Sequence, residues 1–139
     1  ILKAYRRMLK AVAKLADPPA PAALHRLRIN AKKLRYLLEF FASLYPEVAL
    51  ARLVRELKGF QDVLGGFNDM ELQRARFVAI ADELIVSGHA RPEALFAVGR
   101  LVDAAAARQD DYRREFADRF SSFSSRDSRA LYARLFGGG

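Results

Sequence analysis

Leu24-His25-Arg26-Leu27-Arg28-Ile29-Asn30-Ala31-Lys32-Lys33-Leu34-Arg35-Tyr36, running on into Leu37-Leu38-Glu39-Phe40-Phe41, is the stretch whose periodicity decides the fold. At about 100° per residue, Leu24, Leu27, Ala31, Leu34, Leu38 and Phe41 fall within an arc of roughly 100°. That is the core face of an amphipathic helix. His25, Arg28, Lys32, Arg35 and Glu39 occupy the next arc, and beyond them Ile29, Tyr36 and Phe40 are apolar again. A solvated face is not bordered on both sides by residue types that are usually buried. The pattern predicts a charge-lined groove between packed helices.

The first helix supplies a control. Ile1, Tyr5, Met8, Val12 and Leu15 form its apolar stripe, and Lys3, Arg7, Lys10 and Lys14 lie opposite. That is the pattern of an ordinary surface helix. It is predicted over residues 1–16 and is stopped by Asp17-Pro18-Pro19-Ala20-Pro21.

The second helix is predicted from about Ala22 to Leu44, before Pro46. A third is expected from Glu47 to Leu64, with Gly65-Gly66 as its stop. Asn68 and Glu71 have the spacing of a capping box that opens a fourth, ending near Ser87-Gly88. The fifth begins at Pro92, a good first-turn proline, and runs to about Phe120. Ser121 to Ser125 then read as a break, with Asp127 or Ser128 capping a short last helix. No strand pattern is present. The expectation is an all-α antiparallel bundle of about five long helices plus a short C-terminal one, forming a single domain over residues 1–139.

Composition narrows the chemistry. There are no cysteines and only two histidines, His25 and His89, which excludes disulfides, thiolate metal sites, cysteine nucleophiles and a histidine-rich metal cluster. No apolar run approaches the roughly 20 residues needed to span a bilayer. Charges interrupt the apolar stretches of the first residues, unlike a signal peptide, so a cytoplasmic location is expected and no membrane contact.

The net charge is +8, and its placement matters more than its size. Residues 1–60 hold 13 Lys and Arg against four acids; residues 61–139 hold 11 Arg against 12 acids. The excess therefore sits in the first part, with all six lysines. Such asymmetry points to an anionic partner on one region. Cations at i, i+3, i+7 and i+10 repel one another, more so when partly buried, and the stripe holds one acid, Glu39. A bound chain of phosphates would supply the compensation, with Arg offering paired donors and Lys a mobile point charge.

The other candidates each have an ordinary reading. His25 heads the stripe, as a phosphate ligand or as an imidazole bonded to a backbone carbonyl. Lys58 sits at the rim of the third helix's core face. Gln61 falls inside that face, where its amide needs either a structural hydrogen bond or a ligand. Asn68 and Asp69 read as a cap and an acid favoured by the helix dipole, or as holders of a cation of the stripe. Asp103, Asp110, Asp111, Glu115 and Asp118, interleaved with Arg108, Arg113 and Arg114, read as a salt-bridged helix surface. No nucleophile constellation or carboxylate-held metal site is evident, so the chain is not expected to be an enzyme or to carry a cofactor.

Two motifs carry a family resemblance. Leu24 to Tyr36 with Glu39-Phe40, and Leu57-Lys58-Gly59-Phe60-Gln61-Asp62-Val63-Leu64-Gly65-Gly66-Phe67-Asn68-Asp69, resemble the hallmark helices of the conserved histidine α-helical domain (CHAD) family. They stand in the family's order and cover about Leu24 to Gln73; the later helices match only in being helical and arginine-rich. The resemblance implies an all-helical domain that binds inorganic polyphosphate in a basic cavity, associates with polyphosphate granules and is often fused to a triphosphate-processing domain. It maps the conserved histidine to His25 and the basic residues to Arg28, Lys32, Arg35 and Lys58, with Lys33, Tyr36, Gln61, Asn68 and Asp69 as supporting positions. Family domains usually hold two related halves, and one motif set is present here, resembling the C-terminal half. A homodimer or a missing N-terminal half is expected to complete the cavity.

The expected function is a non-catalytic polyphosphate-binding module for targeting or scaffolding. The alternatives are a helical nucleic-acid-binding module and an accessory domain of a triphosphate-processing enzyme. Against nucleic acid, the basic arc lacks the interleaved aromatics of a single-strand platform and the base-reading pattern of a major-groove helix.

Overall fold

In a computed structural model that describes residues 1–138, the chain forms five α-helices and one 3-10 turn. They are α1 (Leu2–Ala13), α2 (Pro21–Phe40), the turn Ala42–Leu44, α3 (Glu47–Val86), α4 (Pro92–Phe123) and α5 (Arg126–Phe136). The described residues contain no strand. The all-α helical bundle stands as read.

The third and fourth predicted helices are one. α3 runs 40 residues without a break through Gly65-Gly66. Neither glycine adopts a positive φ; among the described residues the glycine that does is Gly88, at φ 74°, just past the end of α3. The Gly pair was expected to stop the helix because glycine is a poor helix former, by about 1 kcal/mol each. The buried face Leu57, Phe60, Val63, Leu64 and Phe67 crosses the pair and outweighs that cost. Asn68 therefore sits in mid-helix and caps nothing, and Asp69 faces no helix N-terminus.

The other boundaries shift by a few residues. α1 ends at Ala13, and α2 ends at Phe40, its last predicted turn tightening into the 3-10 segment. α4 extends through Ser121 and Ser122 to Phe123 because Phe123 is fully buried. The cap of α5 is Ser125, whose hydroxyl accepts from the Ser128 amide at 3.2 Å, and not Asp127 or Ser128.

α3 is the spine of the molecule. It packs against α2 on one side and α4 on the other, while α1 packs against α2 and α5. Leu24, Leu27, Ala31, Leu34 and Leu38 of α2 meet Leu50, Leu53, Leu57, Phe60 and Leu64 of α3 in one core. At 1.5 Å per residue α3 is about 60 Å long and α2 about 30 Å, so α2 covers only half of it. The consequence is visible in the burial: no residue from Asn68 to Ala104 is buried. The far half of α3 and the near half of α4 form a hairpin that reaches beyond the core.

An aromatic cluster closes the other end. Tyr5 stacks on Tyr132 with ring centroids 3.7 Å apart and meets the Phe123 ring edge-on at 5.1 Å. Its hydroxyl donates to the Phe123 carbonyl at 2.9 Å, tying α1 to the end of α4. Burial pushes the Tyr5 phenol up to about 12, and the buried Tyr132 phenol is raised further by the same cause.

Candidate anion-binding groove

α2 and α3 run antiparallel, and their packing turns the stripe beside the α2 core face toward α3. Arg28, Lys32 and Arg35 are each half-buried, as one turn after another of α2 meets its neighbour. They line a groove of about 420 Å³ together with Gln61, Asp62, Gly65, Gly66 and Asp69 of α3 and Tyr112 of α4. From Arg28 to Arg35 the basic wall is about 10 Å long. The ion pairs of the described residues involve neither Arg28 nor Lys32. Arg35 Nε lies 3.3 Å from Glu39 Oε1, within reach of charge attraction but out of line for a hydrogen bond.

Other predicted positions lie around the groove rather than in its lining. His25 is exposed, one turn before Arg28, and its Nδ1 is 3.2 Å from Asn68 Oδ1. That contact, and not a backbone carbonyl, is its partner, and it pins the start of α2 to the middle of α3. Lys33 and Lys58 are exposed and outside the lining. Tyr36 is also outside it and 51% exposed, with the Arg35 guanidinium carbon 5.6 Å from its ring centroid. Ile29 and Phe40, on the same flank, are exposed as well. The stripe is thus bordered by core on one side and by an open apolar strip on the other.

Gln61 departs from its ordinary reading. It is 8% exposed, it lines the groove, and its Oε1 has no hydrogen-bond partner. A structural bond from this oxygen to a neighbouring helix does not form.

Asp62, quoted in the second motif without a role, lines the groove, and so does Tyr112, which neither motif includes. It comes from α4, more than 40 positions from the second motif. Its place depends on Gly66: a Cβ at that position would overlap the Tyr112 ring. Arg108 holds the ring from the other side, its guanidinium carbon 4.5 Å from the ring centroid and its Nη2 donating to the phenol oxygen at 3.5 Å. The signal is Gly66, since glycine inside a helix can mark a close approach as well as a stop.

The salt-bridged surface read over residues 103–118 forms in part: Arg108, Arg113 and Arg114 are paired, whereas Asp103, Glu115 and Asp118 enter none of the ion pairs of the described residues. Arg113 pairs with Asp110 at 2.7 Å and Arg108 with Asp111 at 3.5 Å, and Arg114 also pairs with Asp111. No group of three or more His, Cys, Asp or Glu side chains among the described residues is arranged to hold a metal ion, and no helix among them is long and apolar enough to cross a membrane.

The model of the CHAD domain family matches residues 1–78, more than half of the chain. The chain belongs to the CHAD family. The matched part includes α1, α2 and α3 as far as Val78, so it holds both walls of the groove. Tyr112 lies beyond it, on a helix that the CHAD match does not reach. No curated protein matches the chain.

Proposed function

We propose that this CHAD domain binds inorganic polyphosphate in the groove between α2 and α3, as a non-catalytic targeting or scaffolding module. The observation that carries the reading is the basic wall of Arg28, Lys32 and Arg35, half-buried and, at Arg28 and Lys32, without an acidic partner. Membership of a family associated with polyphosphate and triphosphate chemistry supports it. Packed helices stand 8–10 Å apart, so a groove between them is about one side chain wide. A thin flexible phosphate chain suits that width, whereas a nucleic-acid duplex would touch only its rim. Association with polyphosphate granules would follow from such binding. The exposed Ile29, Tyr36 and Phe40 support the further expectation that a second copy, or a second helical half, covers this flank.

Competition measures the assignment directly. Polyphosphate should displace labelled ligand at lower concentration than single-stranded or duplex nucleic acid of equal charge, at two salt concentrations, with no metal-dependent phosphate release. Arg28→Ala, Lys32→Ala and Arg35→Ala should each weaken binding and lower the salt slope by roughly 0.7–0.9. Lys3→Ala, Arg7→Ala and Lys10→Ala, on the exposed face of α1, should do much less. Equal effects of the two sets with folding intact, or tighter binding of nucleic acid, would sink the reading.

A further inference from the structure

The two walls of the groove do not match. The α2 wall offers donors and positive charge, from Arg28, Lys32 and Arg35. The α3 wall offers acceptors: the carboxylates of Asp62 and Asp69 and, beside them, the amide of Gln61. Asp62 and Asp69 are seven residues apart, two turns along one helix face, with open space over Gly65 between them and the Tyr112 ring over Gly66. The ion pairs of the described residues include neither of these acids. Gln61, more than nine-tenths buried, has an oxygen with no donor.

A deprotonated polyphosphate chain presents acceptors alone. It satisfies the α2 wall and leaves every acceptor of the α3 wall facing more negative charge. What the α3 wall lacks is a source of positive charge and of donor hydrogens. A hard divalent cation with part of its water shell provides both, because such ions bind through one or two carboxylates and complete their coordination with phosphate oxygens and water.

We propose that the groove takes polyphosphate as its magnesium complex, with separate hydrated Mg²⁺ ions bridging phosphate oxygens to Asp62 and to Asp69, about 10 Å apart along α3, while Arg28, Lys32 and Arg35 bind the opposite side of the chain. The proposal rests on the polyphosphate reading and adds a sign to it. Magnesium neutralises polyphosphate, so it weakens binding to a purely basic groove; here it strengthens binding.

The test is the affinity for fluorescent polyphosphate, by anisotropy, in EDTA and in saturating MgCl₂ at matched ionic strength. For the unaltered chain, magnesium should tighten binding by about tenfold, the worth of one charge-assisted contact. Asp62→Asn with Asp69→Asn should bind more tightly than the parent in EDTA, through lost repulsion, and should be weakened by magnesium. Both acids are exposed, so the amides should leave the thermal melt in place. Magnesium weakening the parent and the double variant alike overturns the bridge and leaves the polyphosphate reading standing. Magnesium tightening both alike also overturns it, since the ion then acts elsewhere. No binding by the parent in either medium removes the reading and the bridge together.

Discussion

At the scale of single residues, Gly66 and Tyr112 form the contact that shapes the groove. Glycine costs a helix interior roughly 1 kcal/mol relative to alanine, and α3 bears that cost where the tyrosine ring needs the space of a Cβ. Gly65, one position earlier, has nothing within 4 Å of where its Cβ would lie. Gly65→Ala should therefore stabilise the protein by roughly 0.5–1 kcal/mol. Gly66→Ala should give that gain only when Tyr112 is also changed to Ala; with Tyr112 in place, overpacking should cost about 1–3 kcal/mol. Urea unfolding of the four members of the cycle measures the coupling. A coupling near zero would mean that Tyr112 is free to leave Gly66.

At the scale of elements, Tyr5 and Met8 are the buried anchors of α1, each 1% exposed. Tyr5 is buried among Phe123 and Tyr132, and its hydroxyl bonds the end of α4. Its phenol, raised from 10.0 to about 12 in the folded chain, gives stability a pH dependence. Below pH 10 the group is protonated both folded and unfolded, so its contribution is complete. Between pH 10 and 12 the unfolded chain releases this proton and the folded chain keeps it, so stability falls as pH rises, by about 1.4 kcal/mol per unit. Tyr5→Phe removes both the hydrogen bond and this titration. It should be less stable than the parent by about 1 kcal/mol at pH 7, and the deficit should shrink above pH 10. Parallel stability curves for the two proteins from pH 7 to 11.5 would contradict the assignment.

At the scale of the whole molecule, stability is unevenly spread. The last buried cross-link before the hairpin is Gln109, 1% exposed, which accepts from Arg74 at 2.8 Å and donates to Glu71 at 2.5 Å. Beyond it α3 and α4 have only each other, and Leu72, Val78, Ile85, Val86, Phe96 and Leu101 stay exposed. Amides of residues 76–98 should exchange with solvent through local opening, at a free energy well below that of global unfolding. Amides of residues 53–64, in the core, should exchange only through global unfolding. Hydrogen exchange across a denaturant series separates the two regimes; a single common free energy would show that the hairpin unfolds with the core.

The sequence by itself determined the helical class, the core face of α2 and the basic stripe beside it, because each follows from periodicity along one helix. Leu24, Leu27, Ala31, Leu34 and Leu38 could be placed without a neighbour, and so could Arg28, Lys32 and Arg35 on the adjoining arc, whereas Phe41, read onto the same core face, lies past the end of α2 and is exposed. The tertiary structure decided what lies across from them. Whether Gly65-Gly66 ends a helix or admits a ring depends on Tyr112, which only folding brings near. Whether Asn68 caps a helix or meets His25 depends on α3 continuing past it. Local propensity is a difference of about 1 kcal/mol per residue, and burial of a face that crosses the Gly pair exceeds it. The acceptor wall of Gln61, Asp62 and Asp69 became a wall only when α2 was laid against it.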